Sequence, residues 1–336
     1  GVSEAGNWPG ATKNNAERFP IKERALAQGV FNAGASLGAV ISAPLIAYLY
    51  IMFGWQGTFI LIGLVGFVWI IPWWILYKAP PESHPWLSEE EREYILSGQK
   101  PEESVEDVEA LAPGFLNFLF YQRRSWSVIL SRFFLDPVWW LFVTWLPLYL
   151  AAQFDFDIRQ IGLFAWVPYA GAAAGSLFGG WLAKFLFARP WTVNRTRKFT
   201  ITLGGLIMFP MLIASAYASI PIVAVLLIAV ILFGFQLAMG NIQTLPSDYY
   251  SGKSVGTLAG IGGTAAVLGV LITTNIVPVI TAESYAPFFI LGACLVPLSI
   301  GSVWLFGGHI EQVTAESLRD PWWLRLFKSV LSSNKN

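Results

Sequence analysis

The chain has 336 residues, of which 55% are apolar and 12% are charged, with a net charge of +0 and a mean hydropathy of +0.56. A soluble globular chain usually carries about twice that share of charged residues, so the composition indicates a lipid environment. The zero net charge argues against a nucleic-acid partner, and the one cysteine, Cys294, excludes an intrachain disulfide framework and a cysteine-rich metal site.

Eight stretches of the chain are apolar and long enough to cross a membrane as helices, which requires roughly 20 mostly apolar residues. A half-span at 1–17 precedes them, and the chain begins at Gly1 rather than at a methionine. We therefore expect the sequence to lack its natural N-terminus. The eight predicted spans lie at 26–50, 57–77, 126–152, 160–187, 198–218, 221–246, 254–280 and 285–307.

Lysine and arginine are concentrated in alternate loops between these spans. They occur in the loops near residues 20, 100, 193 and 250 and in the C-terminal tail, whereas the loops between these carry none except Arg159, which lies beside Asp155 and Asp157. Because short cytoplasmic loops of membrane proteins are enriched in these cations, the alternation places the cation-rich loops in the cytoplasm. The sequence thus predicts a multi-pass protein of the cell (inner or plasma) membrane with a cytoplasmic C-terminus.

A long polar loop at 78–125 divides the chain into two parts. Within it, Ser88 and Glu91 have the spacing of a helix-capping box, which predicts a short amphipathic helix. Two full spans and the half-span precede the loop and six spans follow it. This arrangement predicts an all-α transporter of two six-helix bundles, without about the first three and a half of its twelve helices. The predicted regions are the remaining N-terminal bundle (1–77), the central loop (78–125), the C-terminal bundle (126–310) and a cytoplasmic tail (311–336).

Small residues recur at four-residue spacing within several spans. This spacing places glycines on one face of a helix, where they let two helix backbones approach closely in lipid. The pattern predicts tight helix packing rather than a particular function. It is found at Gly34 and Gly38, at Gly171, Gly175 and Gly179, and at Gly256 and Gly260.

Several runs of residues along the chain form recognisable motifs. They are Gly6–Lys13, Glu23–Gly34, Asp136-Pro137-Val138-Trp139-Trp140, Gly179-Gly180-Trp181-Leu182, and Pro246-Ser247-Asp248 with Gly260-Ile261-Gly262-Gly263. In that order they resemble the fourth, fifth, seventh and eighth helices, and the tenth and eleventh, of one family of transporters. This family is the anion:cation symporters of the major facilitator superfamily, and within it the resemblance is to the hexuronate transporters.

The resemblance implies twelve helices in two bundles, a binding site between them at the middle of the membrane, and alternating access. It also implies import of a sugar acid together with protons. No cofactor is expected, and the proton is the coupling ion. Hexuronate is preferred over aldarate, aldonate or tartrate-like acids on the resemblance alone. The family's arginines that grip the substrate carboxylate would lie in helices outside this sequence. A monomer in the lipid bilayer is the expected state.

Polar side chains within the spans are the candidate site residues, because burying a polar group in lipid is costly and usually serves a function. The resemblance places an acidic residue in helix four, which makes Glu4 the candidate for proton coupling: a carboxylate there can be protonated in one state and ionised in another. Two of the amides at 236, 241 and 243 can face one cavity, and the amide at 241 is the first candidate. The alternative for each polar residue is an interhelical hydrogen bond. The candidate substrate-binding residues are Asn7, Asn32, Ser36, Gln236, Asn241 and Gln243.

The predicted span at 126–152 carries both charged and aromatic candidates. Arg132 and Asp136 are four residues apart on one helix face, where they can pair as a gate or as an orienting contact. Asp136 precedes Pro137, which predicts a local break in the helix. Trp139 or Trp140 can stack on the apolar side of a sugar ring, although tryptophan in a span is commonly used for packing.

Other classes of function find little support in the sequence. There is no metal-ligand spacing, no phosphate-binding glycine loop and no nucleophile–base pair, so an enzyme embedded in the membrane is not expected. A uniporter or passive channel is the remaining alternative. A channel would need rings of charge or a pore-lining pattern, and its transport would not depend on protons.

Overall fold

The computed structural model describes residues 6–77, 79–97, 119–251 and 253–313. Within these ranges the chain forms α-helices, one short 3₁₀ turn at Pro81–Ser83 and no strand, which confirms the all-α prediction. The helices are α1 Asn7–Arg18, α2 Arg24–Val68, α3 Ile70–Leu76, α4 Glu89–Ser97, α5 Arg123–Phe154, α6 Ile158–Phe164, α7 Trp166–Phe187, α8 Val193–Ala216, α9 Pro221–Ile242, α10 Leu245–Tyr249, α11 Lys253–Ile280 and α12 Ala286–Phe306.

Eight segments of the described chain are long and apolar enough to cross a membrane, and they correspond in order to the eight predicted spans. The first of them lies in α2, and the second runs from α2 into α3. Gly54 interrupts the helical backbone of α2 with a φ of 66° and a ψ of −179°, between the predicted spans at 26–50 and 57–77. Such a positive φ is readily adopted only by glycine, so Gly54 permits a turn of the chain at this point. The eight segments are Arg24–Ile46, Tyr48–Ile75, Arg123–Phe154, Arg159–Phe187, Val193–Ala216, Pro221–Tyr249, Ser254–Ile280 and Ala286–Phe306.

The central loop contains the predicted amphipathic helix as α4. The hydroxyl of Ser88 accepts a hydrogen bond of 3.2 Å from the backbone N–H of Glu91, as the capping prediction requires. The bounds of the predicted central loop stay a prediction, because 98–118 lie outside the described residues.

The predicted break at Asp136-Pro137 is wrong, since α5 continues as one helix through Pro137. Proline removes only one hydrogen bond here, the one that the carbonyl of Phe133 would have accepted. That carbonyl lies against Gly269 of α11, where an added Cβ atom would be 2.2 Å from its oxygen. Close packing of α11 on this turn therefore supports a continuous helix.

Close helix contacts are made through the predicted glycine stripe of α7. A Cβ atom added at Gly175 would lie 2.1 Å from the carbonyl oxygen of Phe233 in α9. At Gly171 and Gly179 it would lie 2.3 Å from the oxygen of Ala229 and 2.9 Å from the Cα atom of Leu237. The stripe thus brings two backbones into direct contact. Gly34 and Gly38 meet no atom of the described chain within 4 Å of such a Cβ position.

The first span of α2 packs against α7 and joins the N-terminal helices to the rest of the molecule. The hydroxyl of Ser176 donates a 2.7 Å hydrogen bond to the carbonyl oxygen of Gly29. A Cβ atom at Gly180 would lie 2.8 Å from the Cα atom of Leu26. On the opposite side α1 packs against α11. These two contacts enclose a space between the N-terminal helices and the C-terminal bundle.

The cation-rich loops contact one another at one end of the bundle. Lys184 pairs with Glu23 at 2.9 Å, and Arg124 pairs with Glu311 at 3.2 Å. Arg24 is buried and donates a 3.0 Å hydrogen bond to the carbonyl oxygen of Ser247. The contacts agree with the predicted shared side of these loops, while the cytoplasmic orientation stays a prediction.

Candidate binding cavity

A cavity of about 480 Å³ lies where α1, α2, α5, α9 and α11 meet. This volume is in the usual range for sites that bind small molecules. The apolar wall consists mostly of aromatic residues, among them Trp8, Trp140 and Phe235, and of small residues of α11 such as Gly263. Thr264 also lines the cavity. The predicted site residues that line it are Asn32, Arg132, Asp136, Trp139, Gln236 and Gln243.

Arg132 and Asp136 form an ion pair along α5 and are the two charged residues among the described lining residues. The Nε atom of Arg132 is 3.2 Å from Oδ2, and Nη2 is 3.3 Å from Oδ1. Nη1 donates to the carbonyl oxygen of Ala259 at 3.3 Å. A guanidinium has five N–H groups and three are used in these contacts, so two have no acceptor in the described chain. The spacing prediction of a pair is confirmed; its role as a gate stays a prediction.

Glycines of α11 leave space for the side chain of Arg132. A Cβ atom added at Gly262 would lie 3.3 Å from Cδ of Arg132, and one at Gly263 would lie 3.6 Å from Nη1. The side chains of Arg132 and Asp136 are 11% and 15% exposed, so the pair is largely shielded. In such surroundings charges interact more strongly than they do in bulk water.

Trp139 presents an aromatic wall supported from two sides. Its ring stacks on Phe235 with centroids 5.5 Å apart and an interplanar angle of 27°, and it meets the edge of Tyr169 at 5.9 Å. Trp8 of α1 lines the cavity and meets the edge of Phe31 at 4.9 Å. A flat apolar ring fixed in this way suits the C–H face of a small ring-shaped ligand.

A cluster of amides closes the cavity on the side of the cation-rich loops. Gln28 donates to Gln243 Oε1 at 2.9 Å and to Asn32 Oδ1 at 3.3 Å, and Asn32 donates to Gln243 Oε1 at 2.8 Å. Asn15 of α1 donates to Gln28 Oε1 at 2.9 Å. The cluster therefore links α1 and α2 to the end of α9. The sequence interpretation missed Gln28, although it shares the i, i+4 spacing of Asn32 and Ser36.

The remaining predicted residues have different positions. The hydroxyl of Ser36 donates to the carbonyl oxygen of Asn32 at 3.1 Å and accepts from Gln236 at 3.4 Å, so it supports the cavity wall from behind. Asn7 is exposed at the first residue of α1 and does not line the cavity. Glu4 lies outside the described residues.

Asn241, the first candidate among the amides, does not line this cavity in the structure. Its side chain is buried away from the cavity, where it accepts a 3.2 Å hydrogen bond from Arg197 and donates one of 3.1 Å to Leu237. Arg197 in turn pairs with Asp248 at 2.8 Å, and both side chains of this pair are 0% exposed. The Asn241 amide is therefore used in a structural cluster rather than in the cavity wall.

Comparison with known proteins agrees with this architecture. Residues 1–274 match the family model described as Major Facilitator Superfamily. The chain is 32% identical to the hexuronate transporter of Escherichia coli (strain K12) over 326 residues, 96% of this chain and 74% of that protein. It is 35% identical to the galacturonate transporter of Dickeya chrysanthemi over 210 residues, 62% of this chain and 59% of that protein.

Among solved structures, the chain is similar in fold to the proton:xylose symporter XylE bound to 6-bromo-6-deoxy-D-glucose. The TM-score is 0.63 at 13% identity, and the match covers 91% of this chain and 69% of that one. Such a low identity shows the fold alone. The family match and the relatives named as transporters show that this chain is a multi-pass membrane transporter and not an enzyme, and that it belongs to the Major Facilitator Superfamily.

Proposed function

We propose that the protein imports a hexuronate or a related sugar acid by proton symport with alternating access. The observation that carries the proposal is the cavity between the N-terminal helices and the C-terminal bundle, which combines one arginine, an aromatic wall and several amides. A sugar acid needs these three kinds of partner for its carboxylate, its C–H face and its hydroxyl groups. The named relatives transport such acids, which supports the choice of substrate class.

Each part of the cavity has a role in this proposal. Trp139 stacks on the sugar ring, and Asn32 and Gln243 bind its hydroxyl groups. Arg132 and Asp136 act as an orienting gate, because a bound carboxylate competes with Asp136 for the guanidinium. Substrate binding then changes how α5 contacts α11, through the bond from Arg132 to the carbonyl of Ala259.

The amide cluster supports alternating access. Gln28, Asn32 and Gln243, together with Arg24 and Ser247, join the N-terminal helices to the ends of α9 and α10. A carrier that opens its cavity on the side of the cation-rich loops must separate these groups, since they connect the two parts that move in this architecture. Hydrogen bonds between neutral amides are individually weak, which suits a closure that opens in each cycle.

Proton coupling is proposed for Glu4 and is tested with the full product of the gene in proteoliposomes. We expect labelled glucuronate to accumulate when an inward proton gradient is imposed on the native protein. The Glu4→Gln variant should exchange substrate across the membrane without accumulating it, because it cannot release a proton. Glu90→Gln removes an exposed carboxylate of α4 and should behave as the native protein does.

Two results would contradict the proposal in different parts. Uptake that is indifferent to the gradient in both proteins would indicate a uniporter or a channel. No uptake of glucuronate, galacturonate or related acids would exclude the substrate class. The dependence on membrane potential gives the stoichiometry, since moving one net charge is worth about 2.3 kcal/mol per 100 mV and one proton per monoanion moves none.

The gate is tested by Asp136→Asn, which keeps the shape of the side chain and removes its charge. We expect several-fold tighter binding of glucuronate, because the substrate no longer competes with a carboxylate for Arg132. We also expect slower transport, because the anion leaves the cavity less readily. Equilibrium binding and initial uptake rates measure the two effects, and a variant with unchanged binding would show that Asp136 does not compete with the substrate.

A further inference from the structure

Gln236 carries a buried oxygen atom that the fold does not satisfy. Its side chain lines the cavity, and the residue is 7% exposed. The Nε2 atom is 3.4 Å from the hydroxyl of Ser36, whereas Oε1 has no hydrogen-bond partner within the described chain. Buried amide oxygens nearly always have a partner, because leaving one unpaired costs the free energy of its lost hydration. An unpaired one at a cavity wall therefore points to a ligand.

The hydrogen bonds of Ser36 determine which end of the Gln236 amide is free. A serine hydroxyl has one hydrogen, and Ser36 donates it to the carbonyl oxygen of Asn32 one turn earlier in α2. Only lone pairs of the hydroxyl then remain for Gln236, which is why the NH₂ group faces Ser36. The opposite orientation of the amide would require Ser36 to give up its hydrogen bond to Asn32. The free end of the amide is consequently an acceptor.

The neighbouring amide has the opposite polarity. Gln243 Oε1 accepts hydrogen bonds from both Gln28 and Asn32, and its NH₂ group has no acceptor among the residues that the structure describes. Gln236 and Gln243 thus offer the cavity one acceptor and one donor. Arg132 adds two further donor N–H groups. A ligand that fits this set has an anionic group for the donors and at least one group that donates a hydrogen bond.

We propose that Gln236 reads one particular hydroxyl group of the substrate as a hydrogen-bond acceptor, and that Ser36 is the positioning residue that fixes its polarity. The proposal rests on the proposed function and deepens it. A carboxylate cannot satisfy Gln236 Oε1, since an ionised carboxylate has no hydrogen to donate. The site therefore selects hydroxy acids over acids that lack this hydroxyl, and the discrimination arises from an atom that would otherwise remain unpaired.

The test compares equilibrium binding of glucuronate with binding of its monodeoxy and deoxyfluoro analogues to the purified full product of the gene. A fluorine atom replaces a hydroxyl at similar size but donates no hydrogen bond. For the native protein we expect one position at which both analogues bind roughly tenfold more weakly, as loss of one hydrogen bond predicts. At that position Gln236→Met should bind glucuronate and its analogues equally.

Two serine variants distinguish the orientation of the Gln236 amide from a general effect of losing a helix hydroxyl. Ser36→Ala removes the group that orients the amide, so Gln236 can turn its NH₂ group into the cavity and the discrimination should fall. Ser302→Ala also removes a hydroxyl bonded to a carbonyl one turn earlier, that of Leu298 at 2.7 Å, but it lies in α12 outside the cavity. This control should keep the full discrimination of the native protein.

The outcomes distinguish this proposal from the proposed function, because binding in detergent needs no proton gradient. Equal binding of glucuronate and every analogue to the native protein would overturn the role of Gln236 alone. So would a Gln236→Met variant that discriminates as the native protein does. Absence of binding by any hydroxy acid would overturn both proposals. Discrimination that disappears in Gln236→Met, falls in Ser36→Ala and persists in Ser302→Ala is the expected result.

Discussion

Replacing Asp248 by asparagine is expected to lower the free energy of unfolding by about 3–5 kcal/mol, because it leaves the guanidinium of Arg197 buried without a counter-charge. The two side chains are joined by contacts of 2.8 Å and 3.3 Å, and both are 0% exposed. Thr244 also donates to the same carboxylate at 3.4 Å. The loss is measured as the shift in unfolding free energy of the purified protein in denaturant.

The double variant Arg197→Met with Asp248→Leu should recover most of that loss. Removing both charges removes the cost of burying them, so a matched apolar pair is often as stable as the ion pair. As a control, Glu23→Gln breaks the pair with Lys184, whose side chains are 25% and 52% exposed. Such a pair in contact with water contributes about 0–1 kcal/mol. An Asp248→Asn variant as stable as this control would show that Arg197 does not depend on the carboxylate.

Replacing Gly175 by alanine should destabilise the protein by about 3 kcal/mol, at the upper end of the usual cost of overpacking. The added Cβ atom would lie 2.1 Å, 2.6 Å and 2.7 Å from three main-chain atoms of Phe233, and main-chain atoms cannot rotate aside. The two helices must separate, which also loosens the contacts at Gly171 and Gly179. Since α9 carries Gln236, we expect weaker binding of the substrate as well.

Gly301→Ala in α12 is the matched control for that substitution. No atom of another helix in the described part of the chain lies within 4 Å of the Cβ position at Gly301, so the methyl group meets none of these helices. Alanine also has a higher helix propensity than glycine, so this variant should be neutral or slightly more stable. The two substitutions are chemically identical and should change the unfolding free energy in opposite directions or by clearly different amounts. Equal changes in unfolding free energy would show that α7 and α9 can move apart at little cost.

The spans of this protein could be predicted from the sequence because lipid imposes a simple rule on the backbone. A segment that crosses the hydrocarbon layer must have all its polar backbone groups hydrogen-bonded within the protein, and an all-α chain achieves this with long apolar helices. The rule depends on local composition, so it held at all eight spans. The pairing of Arg132 with Asp136 could be predicted for the same reason, since the four-residue spacing alone brings them together.

The positions of the amides of α9 could be predicted only in part from the sequence. Each residue turns an α-helix by about 100°, so positions 236 and 243 point within about 20° of each other and 241 points about 140° away. The sequence therefore divides Gln236 and Gln243 from Asn241. It does not say which of the two faces meets the cavity. That depends on where α2 and α5 pack against α9. In the structure Gln236 and Gln243 line the cavity, and Asn241 lies on the other face beside Arg197.

The buried charges belong entirely to the tertiary structure. Arg197 follows a cation-rich loop, and its sequence position suggests exposure to water like that of its neighbours. In the folded protein it is buried beside Asp248, which is 51 residues away along the chain. The sequence by itself determined the class of protein, the spans and the local pairs, because these follow from composition and helical spacing. Only the packing of distant helices decided which polar groups line the cavity and which stabilise the bundle, since a buried charge or amide is tolerated only where another segment brings its partner.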